Sequence, residues 1–143
     1  LFQYIKPEVA GGFGRRTKLD ASVHPPLVHE LEYEFSGWAG NDIVRTFPCY
    51  VVTQRLREAI EGSGLCGVSF HDVKISTTSD FKQFHPALQL PSFYWMKVNG
   101  VAGSDDFGMA ANHRLVVSPD VQSLLTGFNL SEAIFEDYSQ QPA

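Results

Sequence analysis

In the stretch VHELEYEF, Leu31, Tyr33 and Phe35 alternate with Glu30, Glu32 and Glu34, so an extended chain would be apolar on one face and acidic on the other. Period two marks a half-buried strand, and its carboxylate face is predicted to meet water. A second strand is predicted at SFYWMKV, bounded by Pro91 before it and Asn99-Gly100 after it. Phe93, Trp95 and Lys97 point one way and Tyr94, Met96 and Val98 the other. Two largely apolar faces place this strand in the middle of a sheet. Elsewhere the spacing is helical: Leu56, Ala59 and Ile60, and again Val121, Leu124 and Leu125, recur at i, i+3 and i+4 and define one buried stripe each.

These two helices belong to a repeat. Residues 51–73 (VVTQRLREAIEGSGLCGVSFHDV) lie on residues 116–138 (VVSPDVQSLLTGFNLSEAIFEDY) at a constant offset of 65, with six identities in 23 pairs. The matches fall where local structure is specified, so each copy reads as strand, helix, strand. Val51 and Val52, like Val116 and Val117, favour a strand. Thr53 and Ser118 then offer a helix-capping hydroxyl, and Pro119 stands where its missing N–H is harmless. Gly62 and Gly127 are predicted to stop the helices. Val68, Phe70 and Val73, and Ala133, Phe135 and Tyr138, resume an alternation with one buried face. The prediction is an α+β fold: a mixed or antiparallel sheet of about six strands, two main helices, and two repeated strand-helix-strand units.

A chain of 143 residues, 43% hydrophobic, supports one sizeable core, and residues 1–143 are predicted to form a single domain. No run of about 18 apolar residues is present to span a membrane. The opening LFQYIKPEV lacks a charged-then-apolar signal pattern, and a cytoplasmic location with Cys49 and Cys66 reduced is the expectation. A formal charge of −5 argues against binding nucleic acid, which calls for clustered Lys and Arg. The one basic cluster, in GGFGRRTK, departs from both glycine-rich phosphate motifs and is predicted to be a solvated loop.

The five histidines lack metal-ligand spacing, so neither a metal nor a cofactor is expected. His71, Asp72, Asp105, Asp106 and His113 could converge as base and orienting carboxylates of a small hydrolase or transferase. However, His71 falls opposite Phe70 in strand phase, and GSDDFG reads as a turn. In FSGWAGND, Trp38 is either a plug at one end of the core or an exposed anchor for another protein. In the second case Trp38, Asp42, Asp105, Asp106, Phe107, Glu136 and Asp137 are the candidate partner-binding residues.

The segments VVTQRLREAIEGSGLCGVSF and LVVSPDVQSLLTGFNLSEAIF resemble a recurring element of bacterial immunity proteins of contact-dependent and polymorphic toxin systems. The resemblance implies a small, acidic, non-enzymatic α+β protein that binds a cognate toxin and occludes it. The expected partner is a protein toxin with a basic surface; no nucleic acid, membrane or cofactor is implied. The alternatives are the His/Asp hydrolase and a ligand-sensing module with a pocket between its two related halves.

Overall fold

The computed structural model describes residues 1–139, and its element order carries the repeat. Ahead of the first copy come β1 (Gln3–Lys6), β2 (Gly11–Phe13), β3 (Lys18–Asp20), β4 (Leu27–Glu30), β5 (Glu32–Phe35) and β6 (Ile43–Thr46). The first copy is β7 (Cys49–Thr53), α1 (Gln54–Ser63) and β8 (Val68–His71). Then follow β9 (Lys74–Thr77), α2 (Ser79–Phe84), β10 (Phe93–Val98) and β11 (Phe107–Met109). The second copy is β12 (Leu115–Val117), α3 (Pro119–Leu125) and β13 (Ile134–Asp137). The protein is α+β and mostly strand, with 13 strands and three helices among the described residues. None of these helices is long and apolar enough to cross a membrane.

In place of one sheet of about six strands there are four smaller sheets, of four, four, three and two strands. Two of them are built alike, in the orders β6-β7-β10-β8 and β11-β12-β1-β13, antiparallel throughout. Trp95 of β10 sits between Val51 and His71, and Tyr4 of β1 sits between Val116 and Glu136. Val51 and Val116, and likewise His71 and Glu136, are separated by the same 65 residues as the repeat. The strand inserted between the arms of each copy therefore has one register in both sheets. In the first copy that strand lies downstream; in the second it is the first strand of the chain.

The inner faces of these sheets close on one core. Ile43, Val52 and Met96 meet Ile5, Phe107 and Val117, together with Leu56 and Ile60 of α1 and Val121 and Leu125 of α3. Burying a side chain such as Leu56 or Ile60 contributes about 1.5–3 kcal/mol. A second core lies on the other face of the first sheet, where Val44, Val51, Phe93 and Trp95 pack against Tyr33 and Phe35 of β5 and Phe81 of α2. That double burial explains the two apolar faces of β10, which is central as its sequence predicts.

Four local expectations are corrected. VHELEYEF is not one strand: it breaks at Leu31 into β4, paired with β3, and β5, held between β2 and β9. Consequently Glu32 is 3% exposed rather than solvated. Helix α1 passes through Gly62 and ends at Ser63, with Gly64 at φ 73° providing the left-handed cap. Helix α3 ends at Leu125 with Thr126 as its cap, ahead of Gly127. Finally, every residue of β13 is exposed, and Phe135 is not a buried counterpart of the half-buried Phe70. β13 is an outer strand, and α3 has seven residues against the ten of α1 to lay over its sheet.

Candidate interaction surface

The two helix starts explain where the acidic candidates go. Thr53 and Ser118 stand at the N-caps as predicted. The Ser118 hydroxyl accepts the Val121 N–H at 3.3 Å and donates to Asp106 Oδ1 at 2.8 Å. The Thr53 hydroxyl caps nothing; it donates to Asp42 Oδ1 at 2.6 Å. Asp42 also holds Arg55, from Nε at 2.8 Å and Nη2 at 2.5 Å, and accepts the Asn129 N–H at 2.8 Å. Burial raises the Asp42 pKa, but the hydrogen bonds from Arg55, Thr53 and Asn129 outweigh it and hold the group below the usual carboxylate range.

Asp42 is thus 1% exposed and Phe107 is 0% exposed, so the surface role expected of both is corrected: they belong to the interior. Asp106 is half-buried and accepts the Cys66 N–H at 3.0 Å as well as the Ser118 hydroxyl. Asp105 accepts the Val101 N–H at 2.6 Å and closes the turn that GSDDFG predicts. Glu136 and Asp137 are exposed on β13, where Glu136 pairs with Arg114 at 3.1 Å and Asp137 accepts from Gln3 at 3.4 Å.

Trp38 is half-buried, neither a fully enclosed plug nor a fully exposed side chain. Its Nε1 donates to Asn41 O at 2.9 Å and its ring meets Phe93 edge-on at 5.7 Å. Its remaining surface lines two open clefts, of about 570 Å³ and about 670 Å³. The smaller is walled by Trp38, Glu8, Val9, Arg45, Lys6 and Ile134. It adjoins a third cavity, of about 440 Å³, through Lys6, Arg45 and Ile134, which line both. Phe47, 42% exposed, stands on the far side of that cavity. The two adjoining clefts together make a groove, with Trp38 lining one part and Phe47 the other. Val9 and Ile134 line it at 58% and 53% exposure.

The Glu8 carboxyl at the edge of the groove is pushed up by burial, against the Ala39 N–H that Oε2 accepts at 2.9 Å. Its Oε1 is enclosed with no donor among the described residues.

The residues considered for catalysis do not meet. His71 and Asp72 line a cavity of about 330 Å³ with His29, Lys74, Trp95 and Lys97. His71 Nε2 lies 2.9 Å from Ser69 Oγ, and the ring is exposed as strand phase predicts. Asp105 and Asp106 are bound into the Cys66 and Val101 loops, while the His113 ring lies 5.8 Å from His24 and 6.4 Å from Phe47. No group of three His, Cys, Asp or Glu suited to a metal ion occurs among the described residues.

The glycine-rich basic loop is an anion cradle, but its anion is internal. The Arg16 N–H donates to Glu32 Oε1 at 2.7 Å and its Nη2 to Oε2 at 3.2 Å. Arg16 brings the Glu32 carboxyl down to about 2. The motif thus spends its donors on Glu32, and a Cβ on Gly14 would collide with the Glu32 side chain. Sequence reading missed Lys6 and Arg45 because their meeting depends on the segment after β1 bridging to β6 at Glu8 and Val44, which no local pattern announces.

Compared with protein-family models and with curated protein sequences, the chain matches none.

Proposed function

We propose that this chain is a binding protein of the bacterial immunity type, which neutralises a cognate protein toxin in the cytoplasm by occluding its working surface. The observation that carries the reading is the groove from Trp38 to Phe47, where Val9 and Ile134 remain exposed beside an aromatic wall. Aromatic anchors of this kind gain much burial on binding for little lost entropy. Asp137 on the neighbouring outer strand, with the net charge of −5, would speed encounter with a basic partner. The dispersed His and Asp residues give the hydrolase alternative no shared pocket, and the largest cleft is walled by Trp38, Arg55 and Pro91 rather than by both copies of the repeat.

The reading is tested by recovering partners of the tagged protein from its native cells at low and moderate salt. A stoichiometric protein encoded beside this chain, poisonous when expressed alone and harmless when co-expressed with it, is the expected result. Recovery of no such protein at either salt concentration overturns it.

A further inference from the structure

The cavity at the Phe47 end of the groove concentrates positive charge on an acidic protein. Lys6, Arg45, His113 and Arg114 line it, with Glu136 as its acidic member. Glu136 is already paired with Arg114, so these two cancel. Lys6 and Arg45 make no ion pair with any described residue; Arg45 Nε donates at 3.3 Å to the Pro7 carbonyl, and its outer guanidinium nitrogens have no hydrogen-bond partner among the described residues. Glu8 and Glu132 line the adjoining cleft with Lys6 and Arg45, but neither carboxylate comes within ion-pair distance of them, and neither lines this cavity. At this cavity Lys6 and Arg45 therefore stand without a paired carboxylate.

The hairpin that completes the wall is strained. Ala110 N–H donates to Arg114 O and His113 N–H to Ala110 O, both at 2.9 Å, and His113 has φ 63°. A non-glycine residue in this left-handed position is disfavoured, because its Cβ crowds the neighbouring carbonyl oxygen. Such strain concentrates at functional sites. Here it sets the His113 ring beside Phe47 and His24, whose own rings stack at 6.0 Å.

We propose that this cavity binds a phosphoryl oxyanion through Lys6 and Arg45, as free phosphate or as a phosphate monoester whose planar group lies on Phe47. Two uncompensated cations match a phosphate dianion better than a carboxylate, and the guanidinium fork suits two phosphate oxygens at once. The cavity is one end of the groove proposed to dock a toxin, but phosphate binding is read on the protein alone, so it can hold or fail whether or not a toxin covers that groove.

Heteronuclear NMR titration of the intact protein with inorganic phosphate, with adenosine monophosphate and with acetate, at fixed ionic strength, tests it. The expected result is saturable shifts of the Lys6, Arg45 and His113 amides with phosphate or the nucleotide, and much weaker ones with acetate. Lys6→Gln and Arg45→Gln should each weaken binding about tenfold or more while leaving the rest of the spectrum in place. Equal affinity for phosphate and nucleotide assigns free phosphate. Tighter nucleotide binding that Phe47→Ala removes assigns the monoester. The proposal is overturned if neither phosphate nor nucleotide gives saturable shifts there, if acetate binds equally well, or if both glutamine variants bind like the parent.

Discussion

Asp42 and Asp106 are counterparts across the repeat, and each ties one copy to the other. Each carboxylate takes the hydroxyl that begins its own helix, Thr53 or Ser118, and a backbone N–H from the loop after the other helix, Asn129 or Cys66. The main chain repeats the exchange: Thr53 and Ser118 donate N–H to Asp42 O and Asp106 O at 3.0 and 2.8 Å. Asp42 N–H donates to Asn129 O, and Phe107 N–H to Cys66 O, at 2.8 and 3.0 Å. The two copies are locked by a reciprocal clasp as well as by their shared apolar core.

The clasp is unequal, because only Asp42 also holds an arginine. Asp42→Ala leaves the buried Thr53 hydroxyl and the Asn129 N–H without their acceptor and releases the exposed Arg55 guanidinium, and should cost about 2 kcal/mol or more. Asp106→Ala removes two neutral donors' acceptor from a half-buried place and should cost about 1–2 kcal/mol. Urea unfolding of the two variants checks the order. Equal costs would show that Arg55 adds nothing to the clasp.

Acid should unfold the protein through Glu32. Its ordinary carboxyl value of 4.5 is brought down to about 2 in the fold, chiefly by the hydrogen bond from Arg16. A depressed folded pKa means that the stabilisation is complete above 4.5 and is lost as pH falls toward 2. Asp42, also depressed, acts in the same sense. Glu8, raised by burial, acts in the opposite one, since protonating it relieves a cost. Melting temperature measured from pH 7 to pH 2 should fall most steeply below pH 4.5. Glu32→Gln should lower stability at neutral pH and flatten that acid limb.

The repeat was legible because it is written in local signals: paired valines, a capping hydroxyl and an i, i+3, i+4 stripe are read without tertiary knowledge. The central place of β10 was legible for the same reason, in its two apolar faces. What stayed hidden depends on partners distant in sequence. Glu32 looks solvated by alternation until the loop carrying Arg16 folds over it. Asp42 looks like a loop acid until Arg55 and Asn129 arrive, the latter 87 residues away. Lys6 and Arg45 carry no motif at all, and only the bridge from Glu8 to Val44 brings them to one cavity.

Two adjacent glycines in β2 give a clean contrast. A Cβ on Gly11 would run into the Glu34 carbonyl across the β2–β5 pair, whereas one on Gly12 meets nothing within 4 Å. Backbone on the partner strand cannot step aside as a flexible side chain can. Gly11→Ala should therefore cost about 2 kcal/mol or more by overpacking, and Gly12→Ala should stay within about 0.5 kcal/mol of the parent. Thermal melts of the two variants measure the difference.

Trp38 is a poor single test of partner binding, since its ring packs on Phe93 and its Nε1 bonds Asn41 O. Trp38→Ala should itself cost about 2 kcal/mol or more of stability, and a loss of binding would then have two causes. Val9 and Ile134 avoid the problem. More than half of each is open to solvent, so a charged replacement at either leaves the two cores untouched. Val9→Arg and Ile134→Arg should change the melting temperature little, yet each would bury an unpaired guanidinium beside Lys6 and Arg45 if a basic toxin covers the groove. Such a group costs several kcal/mol in a desolvated interface. Protection of cells against the cognate toxin should then fall while the purified variants remain folded. Full protection by both variants would place the toxin-binding surface away from this groove.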